Sequence, residues 1–571
     1  MNTSAQLLDR TGEDRTWWKE AVVYQIYPKS FNDSDGDGVG DLQGIIERVD
    51  HLDALGVDVV WLSPVYESPH ADNGYDISDY RSIDDRFGDM SDWEELRDEL
   101  HDRDIKLVMD LVVNHTSDEH DWFEQSRRRE DGYEDYYHWH DPADDGGPPN
   151  NWESFFGGDT WSWDDEREQY YLHLFDEKQP DLNWENPQVR EDVYEMMRWW
   201  LDRGVDGFRM DVVNLISKTQ GLPNGEEGDW QTGVEHFMNG PRVHEFLQEM
   251  DDEVLSDYDV MTVGEMPGVD VEQAKQYTGE DGDGLGMVFT FEHMNLDYDG
   301  GRWDPHDGYE AWGLRDLKAY VERWQTGLAE DGWNSNYLGN HDQPRIVSRF
   351  GNDGEYREES AKLLATFLLT LRGTPYIYQG DEIGMTNVDW ESLEEVVDVD
   401  TINHVELLLA EHDFEDYQEL RGFVNARSRD NARTPVQWDD SDHAGFTDGD
   451  PWLKVNDNHT EINVADDRAA EDSVFEHYQR LIDLRHERDV FVYGEFEMCL
   501  PDHEHVFAFT QSLEGERVLV VLNFSDEART VELGETDGRL LVSNYDDPAT
   551  ALPSLTLAPF EASVFDVSAD R

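Results

Sequence analysis

The chain has 571 residues, with 44 Lys and Arg against 132 Asp and Glu and a formal charge of −88, yet 12% of it is aromatic and 20 residues are Trp. That aromatic content excludes the disorder that such charge brings to an aromatic-poor chain, and the length allows about two to four domains. The acidic field excludes nucleic acid and anionic membrane surfaces as partners.

In chain order, short apolar runs alternate with amphipathic helical stretches. Strands are expected over 21–27, 59–62, 106–112, 207–210, 260–263, 287–291, 336–338 and 376–378, with helices between them such as 92–102 and 189–201. This alternation fits a closed (β/α)8 barrel and equally an open doubly wound sheet. Between the third and fourth strands, 116–158 is polar, aromatic and rich in Gly and Pro. A structureless loop of that length is unusual in a compact domain, so a small inserted domain is expected there. After about residue 500 the pattern turns to short, regularly spaced strands, at 505–510, 517–523, 529–533, 538–542 and 562–567. The expected organisation is an α/β TIM barrel from 1–112 and 180–498, an inserted domain over 113–179, and a C-terminal antiparallel β-sandwich over 499–571.

Barrel chemistry gathers at the C-terminal ends of the strands. Just past the third expected strand stand Asn114 and His115, at the end of the fourth Arg209 and Asp211, after the fifth Glu265, and after the seventh His341 and Asp342. A lone acid in so acidic a chain carries little information. Carboxylates from separate strands meeting at one mouth, with Arg and His interleaved, carry much more. The segment from Asp33 to Asp41 reads Asp-Ser-Asp-Gly-Asp-Gly-Val-Gly-Asp, so Asp33, Asp35, Asp37 and Asp41 could surround a hard cation. It begins like an EF-hand loop, but Gly44 stands where that motif needs its bidentate Glu.

These segments resemble, in order, the motifs of the α-amylase superfamily, glycoside hydrolase family 13. The stretch from Gln179 to Asn183 (Gln-Pro-Asp-Leu-Asn) and that from Gly373 to Glu382 join the series, and the resemblance runs from about Trp17 to the C-terminus. Within the superfamily, the segments Asp430 to Trp438 and Phe291 to Met294 are most similar to those of oligo-1,6-glucosidases and related α-glucosidases. The resemblance implies the barrel fold, and it implies a nucleophile at Asp211, a general acid/base at Glu265 and a third carboxylate at Asp342. It places Arg209 beside the nucleophile and gives His115 and His341 to the first sugar site. Asp72 and Tyr75 would recognise the terminal glucose, with Arg433 paired to Asp72. Relatives carry a loop like 33–41 that binds Ca²⁺ or Mg²⁺, with the carbonyl of Val39 as a further ligand, in a structural role only. Val212, directly after the nucleophile, matches relatives that favour α-1,6 bonds.

The implied activity is a retaining exo-α-glucosidase acting on small oligosaccharides such as isomaltose and panose. An α-1,4-preferring α-glucosidase, or a glucosyl-transferring isomerase such as trehalose or isomaltulose synthase, remains the alternative. No membrane anchor and no loss of catalytic carboxylates supports a non-catalytic accessory subunit. Only nine of the basic residues are Lys, a composition suited to molar salt, where the Debye length is about 3 Å and self-repulsion is screened. Cys499, the single cysteine, reads as an inert thiol on a strand and suits a reducing cytoplasm. Residues 1–15 lack an export signal, and no run approaches the roughly 20 apolar residues of a membrane span. A cytoplasmic monomer is expected.

Overall fold

Eight short runs rich in Val, Ile, Leu, Met and aromatic residues form parallel strands that are buried on both faces, which is why they lack polar alternation. The computed structural model describes residues 15–226, 231–279, 282–298, 303, 312–411 and 414–568; the first residues, 1–14, read above as free of an export signal, lie outside the described residues. The strands are β1 (Val23–Ile26), β2 (Val59–Leu62), β3 (Lys106–Val112), β4 (Gly207–Asp211), β5 (Met261–Glu265), β6 (Met287–Phe289), β7 (Ser335–Asn336) and β8 (Thr374–Tyr378).

They are ordered β6-β5-β4-β3-β2-β1-β8-β7, every pairing parallel. A parallel bridge between Val288 and Asn334, with the Ser335 hydroxyl donating to the Val288 carbonyl at 2.5 Å, joins β6 to β7 and closes the ring. The barrel is therefore the correct reading of the alternation, and the open sheet is excluded. Strands β6 and β7 end earlier than their apolar runs suggested, so His341 and Asp342 stand on a loop beyond β7 rather than at its edge. Gly207 opens β4 because a Cβ there would lie 2.0 Å from the Met261 carbonyl oxygen, so only glycine lets β4 approach β5 this closely.

The helices follow local rules. The helix Met90–His101 is opened by a capping box between Asp89 and Asp92 and buries Trp93, Leu96 and Leu100. The helix Pro187–Leu201 has Asn186 as its cap and Pro at its start, and lays Val193, Met197 and Trp200 onto the barrel.

Between β3 and β4 lies a three-stranded antiparallel sheet of Trp139–His140, Trp161–Asp164 and Gln169–Leu172, preceded by the helix Asp121–Arg127. The C-terminal region holds β9 (Glu495–Met498), β10 (Val506–Leu513), β11 (Glu516–Asn523), β12 (Arg529–Glu532), β13 (Arg539–Ser543), β14 (Ser554–Leu557) and β15 (Ala562–Asp566). The main sheet runs β9-β10-β11-β15-β13 and is faced by the pair β12-β14. Alternation along β10 sends Val506 and Ala508 into the core shared with β12-β14, and Phe507 and Phe509 into the barrel's core. Strand β14 was not foreseen, and the strand expected around Cys499 is β9, which begins this sheet ahead of position 499. Cys499 follows β9 rather than lying on it, and burial raises its thiol to about 11, which keeps it an unreactive thiol.

Candidate active site

Arg209, on β4, is the hub of the barrel mouth. Its Nη1 donates to Asp110 Oδ1 at 2.7 Å and Asp211 Oδ1 at 2.9 Å, and its Nη2 donates to Glu265 Oε2 at 2.5 Å. Residues two apart on a strand point to the same face, which puts Arg209 and Asp211 together, while the neighbouring strands supply Asp110 (β3) and Glu265 (β5). Asp110 was not foreseen as a site residue. Its other oxygen accepts from Trp61 Nε1 and from the Tyr75 hydroxyl, both at 3.1 Å.

The charges do not balance within this group: one guanidinium faces the carboxyls of Asp110, Asp211 and Glu265, all buried. Burial raises Asp211 and Glu265 above the ordinary carboxylate range, Arg209 pulls both down, and their acidic neighbours push them up again. One proton held within this group would relieve the repulsion, and a site with one protonated and one ionised carboxyl can combine acid catalysis with nucleophilic attack.

Val212 follows Asp211 with φ 34° and ψ 40°, a left-handed conformation that costs a β-branched residue about 1–3 kcal/mol. The turn aims its N–H at Glu265 Oε2, 3.3 Å away. Its side chain packs among Trp152, Trp161, Leu172, Leu174, Leu215 and Phe237, in an apolar cluster shared with the inserted sheet.

A second group lies beside the first. Asp342 Oδ1 accepts from Arg433 Nη2 at 2.8 Å and Arg429 Nη1 at 3.2 Å, and its Oδ2 lies 3.2 Å from His341 Nε2. Burial raises Asp342, but the guanidinium charges of Arg429 and Arg433 outweigh it and hold the carboxyl well below the usual range. Burial also lowers His341 to about 3, so this imidazole is neutral at ordinary pH and the arginines supply the charge there. Tyr75 stacks on His341 with ring centroids 5.1 Å apart and planes 5° apart, so one face of this ring is already covered.

Asp72 accepts from Gln179 Nε2 at 3.2 Å and from Arg429 Nη2 at 3.4 Å. The expected partner of Asp72, Arg433, instead holds Asp342 and the carbonyl of His341; Arg429, one helical turn earlier in sequence, is the arginine that reaches Asp72. Burial raises Asp72 to about 6, with Arg429 and Arg433 opposing. Gln179 Nε2 also lies 3.2 Å from His115 Nε2, so the inserted region's exit strap ties Asp72 to His115. Burial lowers His115 to about 4. Behind His115, the fully buried Lys218 pairs with the fully buried Asp181 at 2.6 Å and donates to Asn114 Oδ1 at 2.8 Å.

Away from this mouth, one oxygen each from Asp33, Asp35 and Asp37 lie within 4.8 Å of one another. Asp33 also accepts from the backbone of Asp35, Gly36 and Gly38. Gly38, at φ 96°, packs where a Cβ would lie 1.9 Å from the Asp450 carbonyl oxygen, so the turn is pinned to 446–452. Asp41 departs from the expected set: its carboxylate accepts from Gly44 and Ser34 and caps the helix Leu42–Glu47, outside the three-oxygen cluster.

A family model described as "Alpha amylase, catalytic domain" matches residues 25–494, and one described as "Maltogenic Amylase, C-terminal domain" matches 496–564. The chain is 55% identical to an oligo-1,6-glucosidase of Parageobacillus thermoglucosidasius, over 97% of this chain and 99% of that protein. It is 48% identical to a trehalose-6-phosphate hydrolase of Bacillus subtilis (strain 168), over 97% and 98%. The crystal structure of isomaltulose synthase from Erwinia rhapontici NX5 superposes with a TM-score of 0.94 at 42% identity, covering 98% of this chain and 100% of the other.

Proposed function

The chain belongs to the α-amylase family of glycoside hydrolases, and from that premise we propose that it is a retaining, exo-acting α-glucosidase that releases glucose from the non-reducing end of short, α-1,6-linked oligosaccharides. The observation that carries the mechanism is the single guanidinium of Arg209 bridging Asp211 and Glu265. Asp211 attacks the anomeric carbon while Glu265, the protonated partner, donates to the departing glycosidic oxygen. Water then enters, Glu265 takes back a proton, and the covalent glucosyl ester on Asp211 is cleaved with net retention. Arg209 keeps Asp211 ionised for the attack, and Asp342 accepts the hydroxyls of the sugar in the first site.

Exo-action rests on the closed end of that site. Asp72, His115 and Gln179 are cross-linked there, with Arg429 at Asp72, and these bonds support a site that ends behind a terminal glucose. Preference for α-1,6 bonds is supported by the similarity to oligo-1,6-glucosidases and by Val212, whose stiff branched side chain stands beside the nucleophile. An α-1,6 linkage has an extra rotatable bond that swings the second sugar clear.

The donor set of the 33–41 turn fits a hard cation through the carboxylate oxygens of Asp33, Asp35 and Asp37. Ca²⁺ or Mg²⁺ there would fasten the loop after β1 to 446–452 and take no part in the chemistry. Among the described residues no helix is long and apolar enough to cross a membrane. A cytoplasmic monomer adapted to high salt accords with that and with the net charge of −88.

The test is product analysis on isomaltose, panose, maltose, sucrose and trehalose 6-phosphate, run in molar KCl and again in dilute buffer. Glucose released fastest from isomaltose and panose, with activity lost in dilute buffer, is expected. A preference for maltose would overturn the linkage assignment, and isomaltulose as the main product from sucrose would overturn hydrolysis. Lasting activity without salt would overturn the salt adaptation.

A further inference from the structure

Arg429 and Arg433 set the floor of the first sugar site, yet neither is held in place only by the groups that face the sugar. Behind them lies Asp398, fully buried and outside the pocket. Its Oδ1 accepts from Arg429 Nε at 2.8 Å, from Arg429 Nη2 at 2.6 Å and from Arg433 Nη1 at 3.4 Å. Its Oδ2 is taken by Thr401, from the backbone N–H at 3.1 Å and the hydroxyl at 2.5 Å. Its own N–H donates to Asp430 Oδ2 at 3.0 Å. Thr401 thus anchors one oxygen of the carboxylate, and both arginines hang from the other.

We propose that Asp398 is a positioning residue for the first sugar site. It fixes the planes of Arg429 and Arg433 so that Arg429 spans Asp72 and Asp342 while Arg433 donates to the same Asp342 oxygen. A guanidinium has donors in a rigid fork, so holding one edge dictates where the other edge points. For Arg429 the edge bound by Asp398 comprises Nε and Nη2, which leaves Nη1 directed at Asp342. With Asp398 neutral, two adjacent cations would be left to Asp342 and Asp72, with Asp400 reaching Arg429 only at 4.0 Å, and Arg429 would be free to turn away from one of its sugar-site partners.

The residue's location gives this role a further consequence. Asp398 directly precedes the helix Val399–Glu411. That helix packs in an apolar cluster separate from the barrel's core, with Trp390, Val396, Val405, Leu420 and Val424. Among the described residues, Asp398 is the carboxylate through which this helical segment meets both arginines, so the segment's seating and the shape of the sugar site are linked.

The inference rests on the α-glucosidase reading above, and the two fail differently. If wild-type enzyme does not hydrolyse short α-glucosides, the reading itself falls. If it does, Asp398→Asn is the test, with KM and kcat for isomaltose, inhibition by glucose, and the melting temperature measured together. KM and the glucose inhibition constant should rise in parallel by about ten- to a hundred-fold, the worth of a hydrogen bond to a charged group, while kcat falls less and the melting temperature stays near wild type. A folded variant with unchanged KM and glucose inhibition would overturn the proposal. Should the Asn variant not fold, Thr401→Ala, which frees the far oxygen of Asp398, must raise KM in the same sense, and an unchanged KM there overturns it equally.

Discussion

Replacing Arg209 by Gln removes the one cation that serves Asp110, Asp211 and Glu265 together. At an effective dielectric of about 20, unit charges about 4 Å apart attract by about 4 kcal/mol, and the Asp211 contact of 2.9 Å lies inside that range. Ionised Asp211 loses that support, so its carboxyl, already raised by burial, rises further. A protonated carboxyl cannot attack, and about 4 kcal/mol corresponds to about three pKa units, so kcat/KM near pH 7 should fall by at least about ten-fold and at most about a thousand-fold. The sign is specific. Because the nucleophile must be ionised, the acid limb of the pH profile should move to higher pH, and part of the loss should be recovered as the pH is raised. Stopped assays of isomaltose hydrolysis across a pH series, with circular dichroism to confirm folding, read this directly. Arg209→Lys is the control, since it retains the charge without the fork and should lose less. A folded Gln variant with less than a ten-fold loss and an unmoved acid limb would refute the assignment of Arg209 as the group that keeps Asp211 ionised.

The Lys218–Asp181 pair is fully buried, so Lys218→Met or Asp181→Leu alone should destabilise by about 3–5 kcal/mol, whereas the double variant should cost much less than the sum. Denaturant unfolding in high salt checks this, and additive losses would show that the pair is not coupled. Replacing Val212 with Ala should shift the isomaltose-to-maltose ratio toward maltose by about 1–3 kcal/mol, read from paired kcat/KM values; an unchanged ratio would show that Val212 only packs against Trp152 and its neighbours. Asp72 titrates near 6, so KM for isomaltose should rise as the pH falls below that value and the carboxylate that accepts sugar hydroxyls takes up a proton. Asp72→Asn should abolish that limb.

The parts of this site that could be read from sequence are those that buried parallel strands force into view. A strand covered on both faces has no polar alternation, so Arg209, Asp211 and Glu265 stand out at the ends of apolar runs. The pairing of Arg429 with Asp72 could not be read in that way. Arg429 and Arg433 lie four apart in one short segment, and only packing decides which guanidinium turns to which carboxylate. Gln179 lay inside a family-like motif, but its bridge from Asp72 to His115 depends on how the inserted region folds back over the mouth. Asp398 gave no signal because it acts through other side chains. At Asp41, the spacing of acids suggested a ligand, whereas its position directly before a helix gives its oxygens to backbone N–H groups as a cap. Strand β14 was missed because it is only four residues long and is flanked by Pro553 and Pro559, which obscured its alternation.

The central claim is that Asp211 forms a covalent bond to glucose while Glu265, held on the same guanidinium, moves the proton. Incubation with 5-fluoro-α-D-glucosyl fluoride, which slows breakdown of a glucosyl ester more than its formation, followed by proteolysis and mass spectrometry, tests it most directly. One added fluoroglucosyl mass is expected on the peptide containing Asp211, and none in Asp211→Asn. Turnover of this reagent with no labelled peptide, or a label carried by Glu265 or Asp342 instead, would contradict it.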